Sequence, residues 1–154
     1  MKNILTLLFC LSGLFICMQT TTAQQPIGVF DGHTDVGDPI RKGSATYKPE
    51  TQEYTIEGAG VNMWANTDQF HFLWKKIKGD FIITATVQFI GEGAADHRKI
   101  GIIARDKLTT DSRHADACVH GDDLTSLQFR PSDGAQTEEV VISSYHPTDI
   151  EFQR

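Results

Sequence analysis

The chain has 154 residues, with 14 lysines and arginines against 20 aspartates and glutamates, and a formal net charge of −6 at pH 7. A surface that binds phosphate groups needs concentrated basic residues, and the basic cluster of this chain is confined to Lys75, Lys76 and Lys78. The composition therefore argues against nucleic acid as a partner.

The first element in chain order is an amino-terminal leader. Lys2 precedes an apolar run from Ile4 to Met18, and polar and small residues follow as far as Ala23. This layout is typical of a secretory signal peptide, and the run is shorter than the roughly 20 residues that span a membrane. We expect residues 1–23 to be removed, which predicts a secreted or periplasmic protein that leaves the membrane after cleavage. A retained membrane anchor is the alternative.

Residues 24–154 are expected to form one domain with one core. Cys10 and Cys17 belong to the leader, so Cys118 is the single cysteine of the mature chain and an internal disulfide is excluded. Stability must then come from packing, which favours a large sheet core.

The mature sequence consists of short β-branched and aromatic runs separated by Gly, Pro, Asp and Asn, a pattern typical of an antiparallel sandwich. Two hairpins are predicted, one joining 69–76 to 80–89 and one joining 113–120 to 124–130. No turn follows the last strand, so we expect a sheet truncated at Arg154; a natural edge strand is the alternative. The predicted strands are 28–30, 44–47, 53–57, 69–76, 80–89, 99–105, 113–120, 124–130, 138–144 and 149–153.

Four chemically versatile side chains occupy alternate positions of the strand at 113–120, and alternate side chains share one face. A neighbouring pair could share a zinc ion, but all four could not, because same-face residues lie roughly 6.5–7 Å apart. We favour a polar face that lines a cleft, with alanine and valine packed on the other side; the reverse parity stays open. The four residues are His114, Asp116, Cys118 and His120.

The segment "DGHTDVGD" contains Asp31, Asp35 and Asp38 within eight positions. Calcium prefers six to eight oxygen ligands, and three carboxylates are compatible with that preference. Turn formation by aspartate and glycine accounts for the same residues. Both interpretations stay open, and the prediction is no metal and no cofactor.

The ordered motifs "FDGHTDVGDPIRKGSATY", "YTIEGAGVNMWANTDQFHFLWKKIKGDF", "KIGIIARD" and "HADACVHGDDLTSLQFR" resemble an exported branch of the concanavalin A-like lectin/glucanase superfamily. That branch includes domains of unknown function that occur alone, beside glycoside hydrolases, or ahead of a Tol-type β-propeller. The resemblance covers nearly all of residues 28–154. It implies an all-β fold, an antiparallel two-sheet jelly-roll sandwich, with further strands after a segment like "IEFQR".

Catalysis is not expected from the motifs of this chain. Retaining glycosidases need two carboxyl groups about 5 Å apart, and the laminarinase-type glucanases of the superfamily carry E-x-D-x-x-E or a one-residue variant, which is absent from this sequence. The nucleophile elbow G-x-S-x-G is absent as well.

A sugar site combines an aromatic platform with polar groups that hydrogen-bond hydroxyls. Trp64 lies between predicted strands with amide and carboxylate groups around it, and two arginines end neighbouring strands. The alternative is that Trp64 caps the core and the arginines pair with acids. The predicted ligand-binding residues are Trp64, Asn62, Asp68, Arg105, Gln128, Arg130 and His120.

These observations predict a non-catalytic carbohydrate-binding module of an exported protein, with a polysaccharide or glycan as partner. One alternative is a structural or protein-interaction module whose partner is an envelope protein or a downstream propeller. The other is a glycan-processing enzyme with an unrecognised site.

Overall fold

Short runs of β-branched and aromatic residues form the antiparallel sheets of this protein. The computed structural model describes residues 26–93, 95–142 and 148–153, so the predicted leader at 1–23 and the end of the predicted strand at 138–144 lie outside the described residues. Within those ranges the chain forms twelve strands and no helix, and hence no helix with the length and hydropathy to cross a membrane.

The strands, numbered in chain order, are β1 Gly32–Val36, β2 Ser44–Lys48, β3 Glu53–Glu57, β4 Met63–Trp64, β5 Thr67–Asp68, β6 Phe70–Trp74, β7 Ile82–Thr86, β8 Lys99–Arg105, β9 His114–His120, β10 Thr125–Arg130, β11 Glu138–Ile142 and β12 Asp149–Gln153. A four-stranded sheet has the order β11-β10-β9-β8, and the remaining strands form the pairs β1–β6, β7–β12, β2–β3 and β4–β5.

The predicted hairpin of 113–120 with 124–130 is confirmed by the pairing of β9 with β10. The predicted hairpin of 69–76 with 80–89 is wrong, because β6 pairs with β1 and β7 pairs with β12. Gly79, with a φ of +89°, lies between β6 and β7, but a turn residue does not determine which strand supplies the hydrogen-bond partners. The alternation of apolar and polar residues determines on which face of the sheet a side chain lies, but it does not determine which strand is the hydrogen-bonding partner.

Three further differences from the sequence prediction concern short segments. The predicted strand at 28–30 is a turn closed by backbone hydrogen bonds between Ile27 and Phe30. Strand β1 forms within the acidic segment that was expected to be a loop, and the expected loop around Trp64 forms the two-residue strands β4 and β5. Strand β1 is mostly polar, and β4 and β5 have two residues each, so none of the three shows the apolar alternation that reveals a longer strand.

The apolar core lies between the four-stranded sheet and the β7–β12 pair. Ile102 of β8, Val119 of β9 and Ile150 of β12 are buried together. Because alternate residues share a face, the opposite face of β8 and β9 receives their polar side chains. The partly buried side chains packed against this core are Ile83, Ala85, Val87, Phe89, Ile100, Ala117 and Phe152.

Substitution of Ile102 by alanine tests this core. We expect Ile102→Ala to lower the free energy of unfolding by about 2–5 kcal/mol, because a cavity replaces a buried side chain. The control is Ile82→Ala, since Ile82 is 63% exposed on β7 and its truncation should cost about 1 kcal/mol or less. Urea titration of both variants measures the difference, and equal losses would contradict the assignment of the core.

Candidate functional site

The β4–β5 hairpin is held to the rest of the protein by a buried ion cluster centred on Asp68. The Asp68 carboxylate, in a residue that is 1% exposed, accepts two hydrogen bonds from Arg130, from Nη2 at 2.7 Å and from Nη1 at 2.9 Å. Nη1 of Arg105 lies 3.3 Å from the same carboxylate. Two parallel bonds between a guanidinium and a carboxylate fix orientation as well as distance.

The remaining hydrogen-bond donors of Arg130 bind backbone and hydroxyl oxygens around the hairpin. Nη2 donates to the Ala65 carbonyl at 3.2 Å and to Thr137 Oγ1 at 3.1 Å, and Nε donates to the Ala135 carbonyl at 3.1 Å. Nη1 also donates to the Ser112 carbonyl at 3.0 Å. Arg130 therefore joins the hairpin to the segments that precede β9 and β11.

Backbone hydrogen bonds complete this attachment. The Thr137 amide donates to the Ala65 carbonyl at 2.7 Å, and the Asp68 amide donates to the Thr110 carbonyl at 2.8 Å. The Thr137 hydroxyl also donates to the Ala65 carbonyl, at 2.8 Å. Both sides of the hairpin are thus fixed to neighbouring segments.

Trp64 lies on the side of the hairpin that faces away from the ion cluster. Met63 pairs with Asp68, and Trp64 pairs with Thr67. Directly opposed residues of an antiparallel pair share a face and successive residues alternate, so Trp64 and Thr67 share the outer face. The Trp64 residue is 41% exposed, so solvent reaches this side of the hairpin.

Asn62 connects the start of the hairpin to the four-stranded sheet. Its Oδ1 accepts a hydrogen bond of 2.6 Å from Lys99 Nζ on β8 and one of 2.8 Å from the Met63 amide. The Asn62 residue itself is exposed. Asn62 therefore borders the outer face while its carbonyl group is used to fix the hairpin.

The second part of the site is the polar face of the four-stranded sheet, opposite the apolar core. The predicted shared face of the alternate residues of β9 is confirmed, and the side chains directly opposite them on β8 and β10 lie on the same face. The β9 and β10 residues of this face are buried. The buried members of this polar face are His114, Asp116, Cys118, His120, Ser126, Gln128 and Arg130.

Burial controls the chemistry of this polar face. It raises the pKa of the Cys118 thiol to about 12, and the Cys118 Sγ lies 3.7 Å from Ser126 Oγ. A thiol of that pKa stays protonated near neutral pH and is a poor nucleophile. Burial also lowers the pKa of His114 and of His120, so both imidazoles are neutral near pH 7. The His120 Nδ1 lies 2.9 Å from the Leu124 carbonyl.

Asp116 and Gln128 face each other across β9 and β10. Gln128 Nε2 donates to Glu139 Oε1 at 2.8 Å, whereas Gln128 Oε1 has no hydrogen-bond partner among the described residues. The Asp116 carboxyl interacts with the Cys118 thiol. Asp116 Oδ2 lies 3.5 Å from His114 Nε2. Burial raises the pKa of Asp116 to about 7, so this carboxyl keeps its proton at mildly acidic pH.

The structure divides the predicted ligand-binding residues into three groups. Asp68, Arg105 and Arg130 come together, but they bind one another and backbone carbonyls and are shielded from solvent. Gln128 and His120 are buried on the polar face of the sheet. The side chains that solvent reaches are Trp64 and Asn62.

Sequence reasoning missed the residues that fix the hairpin. Thr137 and Lys99 were assigned no role, although each binds a hairpin oxygen. Neither carried a recognisable signal, because their partners are 72 and 37 positions away along the chain. Glu139 could have been found from strand register, since it lies directly opposite Gln128 on β11.

The acidic segment "DGHTDVGD" contains a hydrogen-bonded chain of side chains. Asp35 Oδ1 lies 2.8 Å from His71 Nδ1 and accepts from the Gly43 amide at 3.0 Å. His71 Nε2 in turn lies 2.9 Å from His33 Nδ1. A Cβ at position 43 would lie 2.3 Å from His71 Nδ1, so only glycine fits there. This chain ties β1 and β6 to the base of the β2–β3 hairpin.

The other two carboxylates of that segment bind different partners. Asp31 Oδ2 accepts from the Lys76 amide at 2.8 Å, and Asp38 pairs with Lys42 at 2.8 Å. Within the described ranges no group of three His, Cys, Asp or Glu residues is placed to hold a metal ion. Turn and strand contacts therefore account for these aspartates.

No family model, no curated protein and no solved structure matches this chain. By its own fold the chain is an all-β protein of antiparallel sheets.

Removal of the Asp68 charge tests the ion cluster. We expect Asp68→Asn to lower the free energy of unfolding by about 3–5 kcal/mol, because two buried guanidinium groups lose their counterion. The matched control is Asp133→Asn, which breaks the solvent-exposed pair with Lys107 and should cost far less. Urea titration at neutral pH measures both, and a loss in Asp68→Asn no larger than in the control would contradict the structural role of the cluster.

A second prediction follows from the raised pKa of Asp116. The relevant window runs from about pH 4, near the ordinary pKa of an aspartate, to about pH 7, the raised pKa of folded Asp116. Within it, folded Asp116 keeps a proton that the unfolded chain has released. Its contribution to stability therefore falls as pH rises through that window, by about 4 kcal/mol in total. His114 and His120 act in the opposite direction, because their lowered pKa values make the fold lose stability as pH falls.

The difference between the wild type and Asp116→Asn isolates this effect. We expect the wild type to lose stability relative to Asp116→Asn as pH rises across the window, and the difference to level off above it. Urea titrations at a series of pH values measure the difference. A difference that is independent of pH would show that Asp116 ionises normally in the folded protein.

Proposed function

We propose that this protein is a non-catalytic carbohydrate-binding module of an exported protein, in which Trp64 is the platform for a sugar ring. The observation that carries the proposal is the position of Trp64: a large aromatic ring, 41% exposed, on the outer face of a hairpin fixed from beneath by buried ion pairs. The resemblance to the concanavalin A-like superfamily supports the same function and a jelly-roll arrangement of the sheets.

A fixed aromatic ring suits a sugar ligand. A pyranose ring offers an apolar C–H face that packs against an aromatic ring, and binding is weakened by every degree of freedom lost in the complex. Because the hairpin is attached through Asp68, Ala65 and Thr137, little ordering remains to be done when a ligand arrives. A binding group held by such a supporting layer is preorganised.

Polar groups that suit sugar hydroxyls border the platform. Thr67 shares the outer face with Trp64, and the exposed Asn62 and Asn66 precede and follow it. Hydroxyl and amide groups both donate and accept hydrogen bonds, as an array of hydroxyls requires. The buried cluster has a supporting role in this proposal: Asp68, Arg105 and Arg130 position the platform and do not touch the ligand.

The non-catalytic part of the proposal is supported by the state of the polar face. The Cys118 thiol has a pKa of about 12 and the neighbouring carboxyl of Asp116 is buried. The pair therefore lacks the ionised, accessible nucleophile that covalent catalysis uses.

Replacement of Trp64 tests the platform. We expect Trp64→Ala to weaken binding to soluble polysaccharides about tenfold or more, which is about 1.4 kcal/mol or more, because the stacking surface is removed. Retardation in affinity gels that contain a glycan measures the binding, and thermal melting should change little because the ring is partly exposed. The control is Ile40→Ala, which removes a fully exposed apolar side chain in another loop and should leave retardation unchanged.

Two outcomes would count against the proposal. Absence of wild-type retardation by any glycan would refute carbohydrate binding. Equal retardation of the wild type and Trp64→Ala, or unfolding of Trp64→Ala, would assign Trp64 to packing.

A further inference from the structure

We infer that the platform selects neutral glycans, and that glycans with carboxylate, sulfate or ammonium groups are not its ligands. This inference rests on the proposed function and specifies the ligand class of the same surface. It follows from the charges that lie around the hairpin and from the partners that already bind them.

The hairpin itself presents no charge to solvent. From Gly58 to Phe70 the one ionisable side chain is Asp68, and its carboxylate is buried and bound by two guanidinium groups. The exposed side chains around Trp64 end in neutral amide and hydroxyl groups, those of Asn62, Asn66 and Thr67. Such groups bind hydroxyls but cannot supply a counterion to a charged sugar.

The cations nearest to the hairpin are already engaged. Lys99 Nζ donates to Asn62 Oδ1, and the charge of Lys99 interacts with the carboxyl groups of Glu139 and Asp116 on the polar face of the sheet. The buried side chains of Arg105 and Arg130 are used by Asp68 and backbone carbonyls. Recognition of a carboxylate or sulfate relies on a guanidinium or ammonium group free to form charge-assisted bonds. Within the described ranges the hairpin offers no such group on its outer face.

The basic cluster at Lys75, Lys76 and Lys78 lies beyond the far end of β6. Strand β6 starts at Phe70, two residues after Asp68, and ends at Trp74, so an extended path separates Asp68 from Lys75 by roughly 20 Å at about 3.3 Å per residue. That distance exceeds the Debye length of about 8 Å at physiological ionic strength. The net charge of −6 also opposes the approach of an anionic polymer.

Acidic groups do not provide a strong site for a cationic glycan either. Asp111 follows Thr110, whose carbonyl binds the Asp68 amide, and it is exposed. It interacts with the positive charges of Lys107 and Arg105, which reduce its attraction for an ammonium group.

Affinity gels with matched glycans test this inference on the wild-type chain. Mixed-linkage β-glucan and galactomannan serve as neutral probes, polygalacturonate as the anionic probe and chitosan as the cationic probe. Gels run at about 10 mM and about 1 M salt span Debye lengths from about 30 Å to about 3 Å. We expect retardation by at least one neutral probe that changes less than about twofold with salt and is lost in Trp64→Ala.

The charge variant Asp111→Asn separates specific recognition from general attraction. We expect it to leave retardation by the neutral probe unchanged, because no charge takes part in that contact. Retardation by polygalacturonate or chitosan alone, abolished at high salt, would overturn the inference while leaving carbohydrate binding intact. Retardation by no probe at all would instead refute the proposed function, so the two failures are distinguishable.

Discussion

The rest of the site depends on the bidentate ion pair between Asp68 and Arg130. Removing charges from water costs several kcal/mol for each ion unless hydrogen bonds satisfy the remaining donors and acceptors, and here they do. The guanidinium of Arg130 binds the carboxylate of Asp68 together with the carbonyls of Ala65, Ser112 and Ala135. Because these oxygens belong to separate segments of the chain, the hairpin, the end of β10 and the loops around it can move only together.

The same ion cluster covers part of the polar face of the four-stranded sheet, opposite the apolar core. The apolar face of β8 and β9 packs against β7 and β12, while the polar face holds three cations, Lys99, Arg105 and Arg130, and three carboxyl groups, Asp68, Asp116 and Glu139. With His114 neutral, ionised Asp116 makes this set electrically neutral, and protonated Asp116 leaves one net positive charge. Burial favours the protonated carboxyl, whereas the Cys118 thiol and the charge of Lys99 favour the ionised one; burial has the larger effect and raises the pKa of Asp116 to about 7.

Structural features that depend on neighbouring residues could be predicted from the sequence, whereas strand pairing and contacts between distant residues could not. Alternation predicted that His114, Asp116, Cys118 and His120 share a face, because strand geometry alone decides it. The predicted pairing of β6 with β7 was wrong because many apolar strands could pair with either of them. Residue type also suggested that Arg105 and Arg130 bind a ligand, but their actual partner, Asp68, lies 62 positions from Arg130, and no local pattern reports that contact.

Charged side chains suit the position beneath Trp64 better than apolar side chains because the hydrogen bonds of charged groups are directional. Well-packed apolar residues often match or exceed a buried ion pair in stability, so stability alone gives no advantage to Asp68 and Arg130. An apolar contact, however, tolerates sliding and rotation, whereas the paired bonds of Arg130 set both the distance and the angle of the hairpin. A hairpin whose two strands have two residues each has few contacts of its own. The ion cluster therefore sets the orientation of the hairpin that carries Trp64.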